Sequence, residues 1–200
     1  MYIYIMFKIF FSLSLLLIFT GCAQVAVGGI SKSVLVAKEE RSVGTFIDDT
    51  VIAARLKNLY FNQNEKIFFN VDVEVNEGRV LLTGTVETSE IRIEATKLAW
   101  GITDVVTVIN EIQISENDNI LDYADDLVIT TKINAKLLIN KEINNLNYNI
   151  DTVNKIVYVI GIAQNKNELA NVIDIINSVY GVQEVINYVR LKEDTIQNAG

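Results

Sequence analysis

The chain has no histidine, no proline and a single cysteine, Cys22, in 200 residues. Without histidine or a second thiol it holds none of the usual zinc sets, no Ser-His-Asp triad and no Cys-His dyad. No disulfide can form within it, so core packing alone must hold the fold. Basic residues are also few, 17 against 25 acidic, for a formal net charge of −8. Phosphate backbones are bound by clustered Lys and Arg, so this balance argues against a nucleic-acid partner. What is abundant is hydrophobic surface: 50% of residues are apolar, which excludes a disordered chain.

The N-terminus opens with one charge, Lys8, and continues through an apolar run from Ile9 to Phe19 into the small residues Thr20-Gly21 and then Cys22. A weakly positive start, an apolar core and a small-residue exit describe a secretory signal over residues 1–21. An uncleaved membrane anchor is the alternative, since about 20 apolar residues span a bilayer. Thr20-Gly21-Cys22 resembles the lipobox of bacterial lipoproteins, which implies acyl chains such as palmitate on Cys22. Several such chains make a firm membrane anchor. Ala23, rather than Asp, follows Cys22; the same resemblance then implies the outer membrane, with the folded part facing the periplasm. Residues 22–45 read as a lipidated tether, and residues 193–200 as a short tail.

The rest of the chain repeats itself. Asp48-Asp49-Thr50-Val51-Ile52 matches Asp125-Asp126-Leu127-Val128-Ile129, and Val80-Leu81-Leu82-Thr83-Gly84 matches Val157-Tyr158-Val159-Ile160-Gly161, both about 77 residues apart. Asn70-Val71-Asp72-Val73 and Asn147-Tyr148-Asn149-Ile150 share that offset, and Gly101-Ile102-Thr103-Asp104-Val105 pairs with Gly181-Val182-Gln183-Glu184-Val185 about 80 residues on. Four blocks in one order define two modules, 46–114 and 122–192.

Each copy predicts the order αββαβ, an α+β fold with two helices on one face of a small mixed sheet. Asp49 and Asp126 are expected to cap the first helices. The turns fall at Asn76-Glu77-Gly78 and Thr152-Val153-Asn154. Second helices are expected over 89–100 and 165–180, with Gly101 and Gly181 as C-caps, and closing strands over 105–114 and 185–191. Tyr60, Phe61, Phe68 and Phe69 are expected in the core, and Trp100 as a partly buried core aromatic.

Gly78-Arg79-Val80-Leu81-Leu82-Thr83-Gly84 and Gly101-Ile102-Thr103-Asp104-Val105 resemble the BON domain, the bacterial OsmY and nodulation module, over most of residues 41–192. Two such modules behind a lipobox resemble the dual-BON outer-membrane lipoproteins. The resemblance implies binding of anionic phospholipid, support of outer-membrane integrity, no catalysis and no cofactor. It places the lipid surface mainly on the first helix of the second module. This chain departs there: Val128 stands where an exposed Trp is usual, and Asn134 where an Arg is usual.

On a helical wheel of residues 126–139, Ile129, Ile133 and Leu137 form the core stripe. Leu127, Val128, Thr131, Ala135, Leu138 and Ile139 fall opposite or on the flanks, with Lys132 and Lys136 at the border and Lys141 beyond. Apolar residues edged by lysines describe an interfacial helix. The same face could instead pack on the other module, or its last residues could lie past a frayed helix end. Charge favours the second module: residues 46–114 carry 6 basic and 11 acidic residues, residues 122–192 carry 7 and 8. Two functions follow, a lipid-anchored protein that binds anionic phospholipid through its second module, or a periplasm-facing protein–protein adaptor held by its lipid alone. The paired acids Asp48-Asp49 and Asp125-Asp126 lack the surroundings of a catalytic or metal site, and no phosphate loop is present.

Overall fold

The structure, a computed structural model, describes residues 43–115 and 120–192. The signal segment, Cys22, the tether before Val43 and the tail after Lys192 lie outside the described residues. The described residues belong to one compact unit, which holds every core residue named below.

The first module runs α1 (Val43–Gln63), α2 (Glu65–Asn70), β1 (Val71–Asn76), β2 (Arg79–Val86), α3 (Ser89–Trp100), β3 (Thr107–Asn110) and β4 (Gln113–Ile114). The second runs α4 (Ile120–Ile139), a single 3-10 turn (Asn145–Asn147), β5 (Tyr148–Val153), β6 (Ile156–Ala163), α5 (Lys166–Asn177) and β7 (Glu184–Leu191). The sheets share one topology: β1 pairs antiparallel with β2, which pairs parallel with β3 and β4. Likewise β5 pairs antiparallel with β6, and β6 parallel with β7. A parallel neighbour needs a crossover, and α3 and α5 supply it. The α+β order αββαβ is therefore observed in both copies, with α2 added in the first.

Alternation along the strands gives each sheet two buried faces. Val71, Val73, Val75, Val80, Leu82 and Val86 pack under the helices against Ile52, Leu56 and Tyr60 of α1 and Ala95 and Ala99 of α3. Val157, Val159 and Ala163 do the same against Ile129, Ile133, Leu137, Val172 and Ile176. The intervening residues bury against the other sheet: Leu81 with Val153, Tyr158 and Ile160, joined by Ile109, Ile156, Ile186 and Tyr188. The modules thus dock sheet to sheet, in four layers, helices–sheet–sheet–helices. Burial on both faces is why β6 reads as an apolar run from Ile156 to Ala163 and why β2 carries consecutive apolar residues at Val80, Leu81 and Leu82.

Several sequence expectations are corrected. Asp49 and Asp126 do not cap their helices; each lies inside one, 3% and 6% exposed. The Asp49 carboxylate accepts the backbone N–H groups of Glu77 and Gly78, both at 2.8 Å. That of Asp126 accepts those of Asn154 and Lys155, at 2.7 and 2.8 Å. These are the hairpin turns, where both central residues have positive φ, 52° and 69° in the first and 51° and 65° in the second. The carboxylate satisfies amides that the tight turn points inward, a tie spanning 28 and 29 residues that a local capping rule misses. The second turn accordingly sits at Asn154-Lys155, later than expected. The strand expected over 105–114 breaks at Glu111-Ile112, where the Asn110 side chain accepts the Ile112 N–H at 3.1 Å. Helix α5 ends at Asn177 with Ser178 as C-cap, so Tyr180 and Gly181 lie in the turn beyond it, while Gly101 caps α3 in a right-handed conformation. Tyr60 is core, but Phe61 and Phe69 are exposed (61% and 68%), as is Trp100 at 53%.

The seam between the sheets is also acidic. Glu74 and Asp151, equivalent positions of the repeat, both lie in it. Asn149 donates to Glu74 at 2.6 Å, and the Thr83 hydroxyl donates to Asp151. Burial pushes Glu74 up to about 7, opposed by the Asn149 bond and reinforced by the charges of Asp151 and Asp72. Burial pushes Asp151 up to about 6, opposed by Thr83 and reinforced by Asp72.

Two predictions follow from these carboxylates. Asp126→Ala strands two buried backbone N–H groups and should cost about 2–4 kcal/mol in denaturant unfolding; a loss below about 0.5 kcal/mol would show that the tie is dispensable. For Glu74, a pKa raised above its unfolded value means that the folded state disfavours the charged form. The penalty is full above pH ~7 and fades as pH falls toward the ordinary carboxylate range. Glu74→Gln should therefore raise the thermal midpoint at pH 8 by a few degrees, and its advantage should shrink toward pH 5. An advantage constant with pH would count against this account.

Candidate functional site

Helix α4 presents two faces because its residues advance by about 100° each. Asp126, Ile129, Ile133 and Leu137 point into the second core and are nearly sealed from solvent. The arc directly opposite carries Ala124, Leu127, Val128, Thr131, Ala135, Leu138 and Ile139, all exposed. Leu127 is 57% accessible, Val128 49%, Leu138 68% and Ile139 78%. No acid falls on this arc. Lys132 and Lys136 follow along one flank, both exposed. Asp125, on the same flank, is paired with Lys155 at 3.8 Å.

The structure thus brings all eight sequence-named residues onto the outward side of one continuous helix, which ends at Ile139. Leu138 and Ile139 belong to its last turn. The other module docks on the far side of the second sheet and leaves α4 uncovered. Ala124 completes the arc; the sequence reading missed it by starting the helix at residue 126, although the same periodicity continues N-terminal to that point. Tyr123, 70% exposed, borders the arc on the side away from the lysines.

The repeat supplies an internal comparison. In α1 the positions equivalent to Leu127, Thr131, Ala135, Leu138 and Ile139 are Thr50, Ala54, Asn58, Phe61 and Asn62. Asn62 there turns back to its own helix, its amide donating to the Asn58 carbonyl at 2.7 Å. Asp48 and Arg55, the equivalents of Asp125 and Lys132, lie exposed along one flank of α1, and Lys57, near the other flank, is engaged by Asp72 at 3.5 Å. The outward face of α1 therefore mixes polar Thr50, Asn58 and Asn62 with apolar Val51, Ala54 and Phe61, whereas that of α4 is apolar apart from Thr131 and has two lysines on its flank.

Among the described residues no cluster of three or more metal-ligating acids occurs. No described helix is long and apolar enough to cross a membrane. The first module has an apolar patch of its own, where Phe61, Phe68 and Phe69 stack edge to face with ring centroids 5.1 Å apart.

Known proteins resemble this chain at the level of both modules. The BON-domain family model matches residues 48–116 and 125–193. An uncharacterised protein of the gshII 5′ region in Anaplasma centrale is 40% identical over 152 residues, 76% of this chain and 99% of its own length. The outer membrane lipoprotein DolP of Haemophilus influenzae is 29% identical over 168 residues, covering 83% of this chain and 86% of that protein. A 21 kDa hemolysin of Actinobacillus pleuropneumoniae is 33% identical over 155 residues, 76% of this chain and 80% of its own.

If the outward arc of α4 serves contact rather than folding, Leu138→Ser should change unfolding free energy by less than about 0.5 kcal/mol, whereas Ile133→Ala should cost about 2–5 kcal/mol. A Leu138→Ser cost similar to that of Ile133→Ala in urea titrations would place Leu138 in a core.

Proposed function

This chain belongs to the BON-domain family, with two copies in tandem, and from that premise we propose that it is a lipid-anchored envelope protein whose second module binds anionic phospholipid. The observation that carries the reading is the outward arc of α4, with four large exposed apolar side chains, no acid and two lysines on its flank. Such a helix lies in the membrane interface with its apolar side buried at the level of the headgroups. Each lysine near an anionic surface contributes about 1 kcal/mol, and each apolar side chain that leaves water adds up to about 1.5–3 kcal/mol. Acyl chains on Cys22 would supply the firm attachment, and α4 would fix how the modules lie on the bilayer. The outer membrane lipoprotein relative supports that membrane as the location; a part in envelope integrity belongs to the same proposal, and no catalysis is proposed.

The exposed aromatic patch of the first module favours a second reading, an adaptor that meets an envelope protein through Phe61, Phe68 and Phe69. Its helix layer faces away from α4, so the two contacts would not compete.

The test uses residues 38–200, which lack Cys22, sedimented with vesicles of phosphatidylglycerol or phosphatidylcholine. Binding to the anionic vesicles alone should weaken as salt rises, because screening shortens the reach of the lysines. Leu127→Ser with Leu138→Ser should lower it at least about tenfold, corresponding to about 1.4 kcal/mol. Failure to sediment with either vesicle would leave Cys22 as the membrane contact and favour the adaptor.

A further inference from the structure

No large apolar or aromatic side chain among those described is as exposed as Tyr180, at 92%. It stands in the turn after α5, and that turn is held firmly. Val179 is buried in the second core with Ile129 and Ile133. The Val179 N–H donates to the Ile176 carbonyl at 3.1 Å, and the Val182 N–H to the Val179 carbonyl at 3.3 Å. Gly181, with φ +104°, lies so close to α4 that a Cβ there would be 3.0 Å from Ile129 Cδ1. Beside the turn, Lys136 of α4 donates to the Ser178 hydroxyl at 3.1 Å. Tyr180 is therefore a solvent-facing ring on a fixed support, next to the lysine flank of the helix.

The first module shows that this junction could be built otherwise. There, half-buried Leu59 and Leu98 occupy the positions of Lys136 and Ser178, and Trp100 that of Tyr180. The second module replaces two leucines with a lysine–serine bond that keeps a cation at the surface beside the aromatic ring.

We propose that Tyr180 and Lys136 form the headgroup-level rim of the α4 membrane contact, the ring lying among the lipid headgroups and the ammonium meeting the phosphate of an anionic lipid. The inference rests on the phospholipid reading of α4 and extends its contact across to the α5 turn. An amphipathic ring with one polar end suits the membrane–water interface, where Tyr and Trp concentrate. Lysine stems are long enough to keep the charge at the phosphates while their methylenes lie over apolar surface. The acid nearest on that flank of α4, Asp125, is already engaged by Lys155.

The experiment places a single reporter at the site: Tyr180→Trp in a Trp100→Phe background of residues 38–200, titrated with phosphatidylglycerol vesicles. The emission should shift to the blue and become protected from a water-soluble quencher on binding. Separately, Tyr180→Ser should weaken sedimentation roughly fivefold to tenfold, as loss of one interfacial ring would. Its thermal midpoint should stay unchanged, because the side chain packs on nothing. Lys136→Gln should weaken binding and lower its dependence on salt. If the parent binds, Leu127→Ser with Leu138→Ser abolishes binding, and yet Trp at position 180 stays open to quencher and Tyr180→Ser binds like the parent, the rim is wrong and α4 alone is the contact. A parent that fails to bind would overturn both this inference and the phospholipid reading beneath it.

Discussion

Each sheet has a face left over once its helices are in place, and burying that face against the other sheet is the constraint on which the molecule depends. Leu81, Val153, Tyr158 and Ile160 meet there. A small two-layer module buries a modest fraction of its surface, and a second layer of strands enlarges the core without a disulfide. The arrangement also sets direction. Because the sheets take each other's back faces, both helix layers must point outward, on opposite sides. The exposed apolar arc of α4 and the aromatic patch beside α1 are on display for the same reason, and neither can be hidden by the partner module.

Polar groups in the seam give it a register. Arg79 donates to the Tyr188 carbonyl at 2.9 Å, Asn154 to the Gln113 side chain at 2.7 Å, and Arg190 pairs with Glu77. The buried carboxylates Glu74 and Asp151 each find one neutral donor across the seam, but they share Asp72 as a charged neighbour, so their accommodation is incomplete at neutral pH. Buried polar groups stabilise less than apolar ones would and exclude misaligned pairings. The Asp49 and Asp126 ties work differently, since each joins a helix to its own hairpin. They make the turn geometry part of the core rather than a loop at its edge.

Much of this was legible from residues alone. The offset repeat established two modules, and the spacing of Ile129, Ile133 and Leu137 found the buried stripe of α4, so its outward arc followed by geometry. Less legible were features that depend on distant partners. Asp49 and Asp126 precede apolar periodic segments, as N-caps do, and only the folded hairpin shows that their partners lie 28 and 29 residues away. Phe61, Phe69 and Trp100 read as inward residues because they are large and apolar, yet hydrophobicity says what can be buried and not what must be. The seam was written in the sequence as well: Val157 to Ala163 is apolar without alternation, a sign of a strand covered on both sides. That sign does not say what provides the second cover.

The seam has the form of an interface between two subunits. Contacts run from β2 to β5 and from β1 to β6, which are the same pairs with the roles of the modules exchanged. Such reciprocity is what a two-fold axis imposes on a homodimer. Within one chain the geometry of the pair resides in the facing surfaces, and the covalent link acts mainly by raising the effective concentration of one module around the other. Two separately supplied halves would then need only concentration in place of the link to rebuild the same four layers.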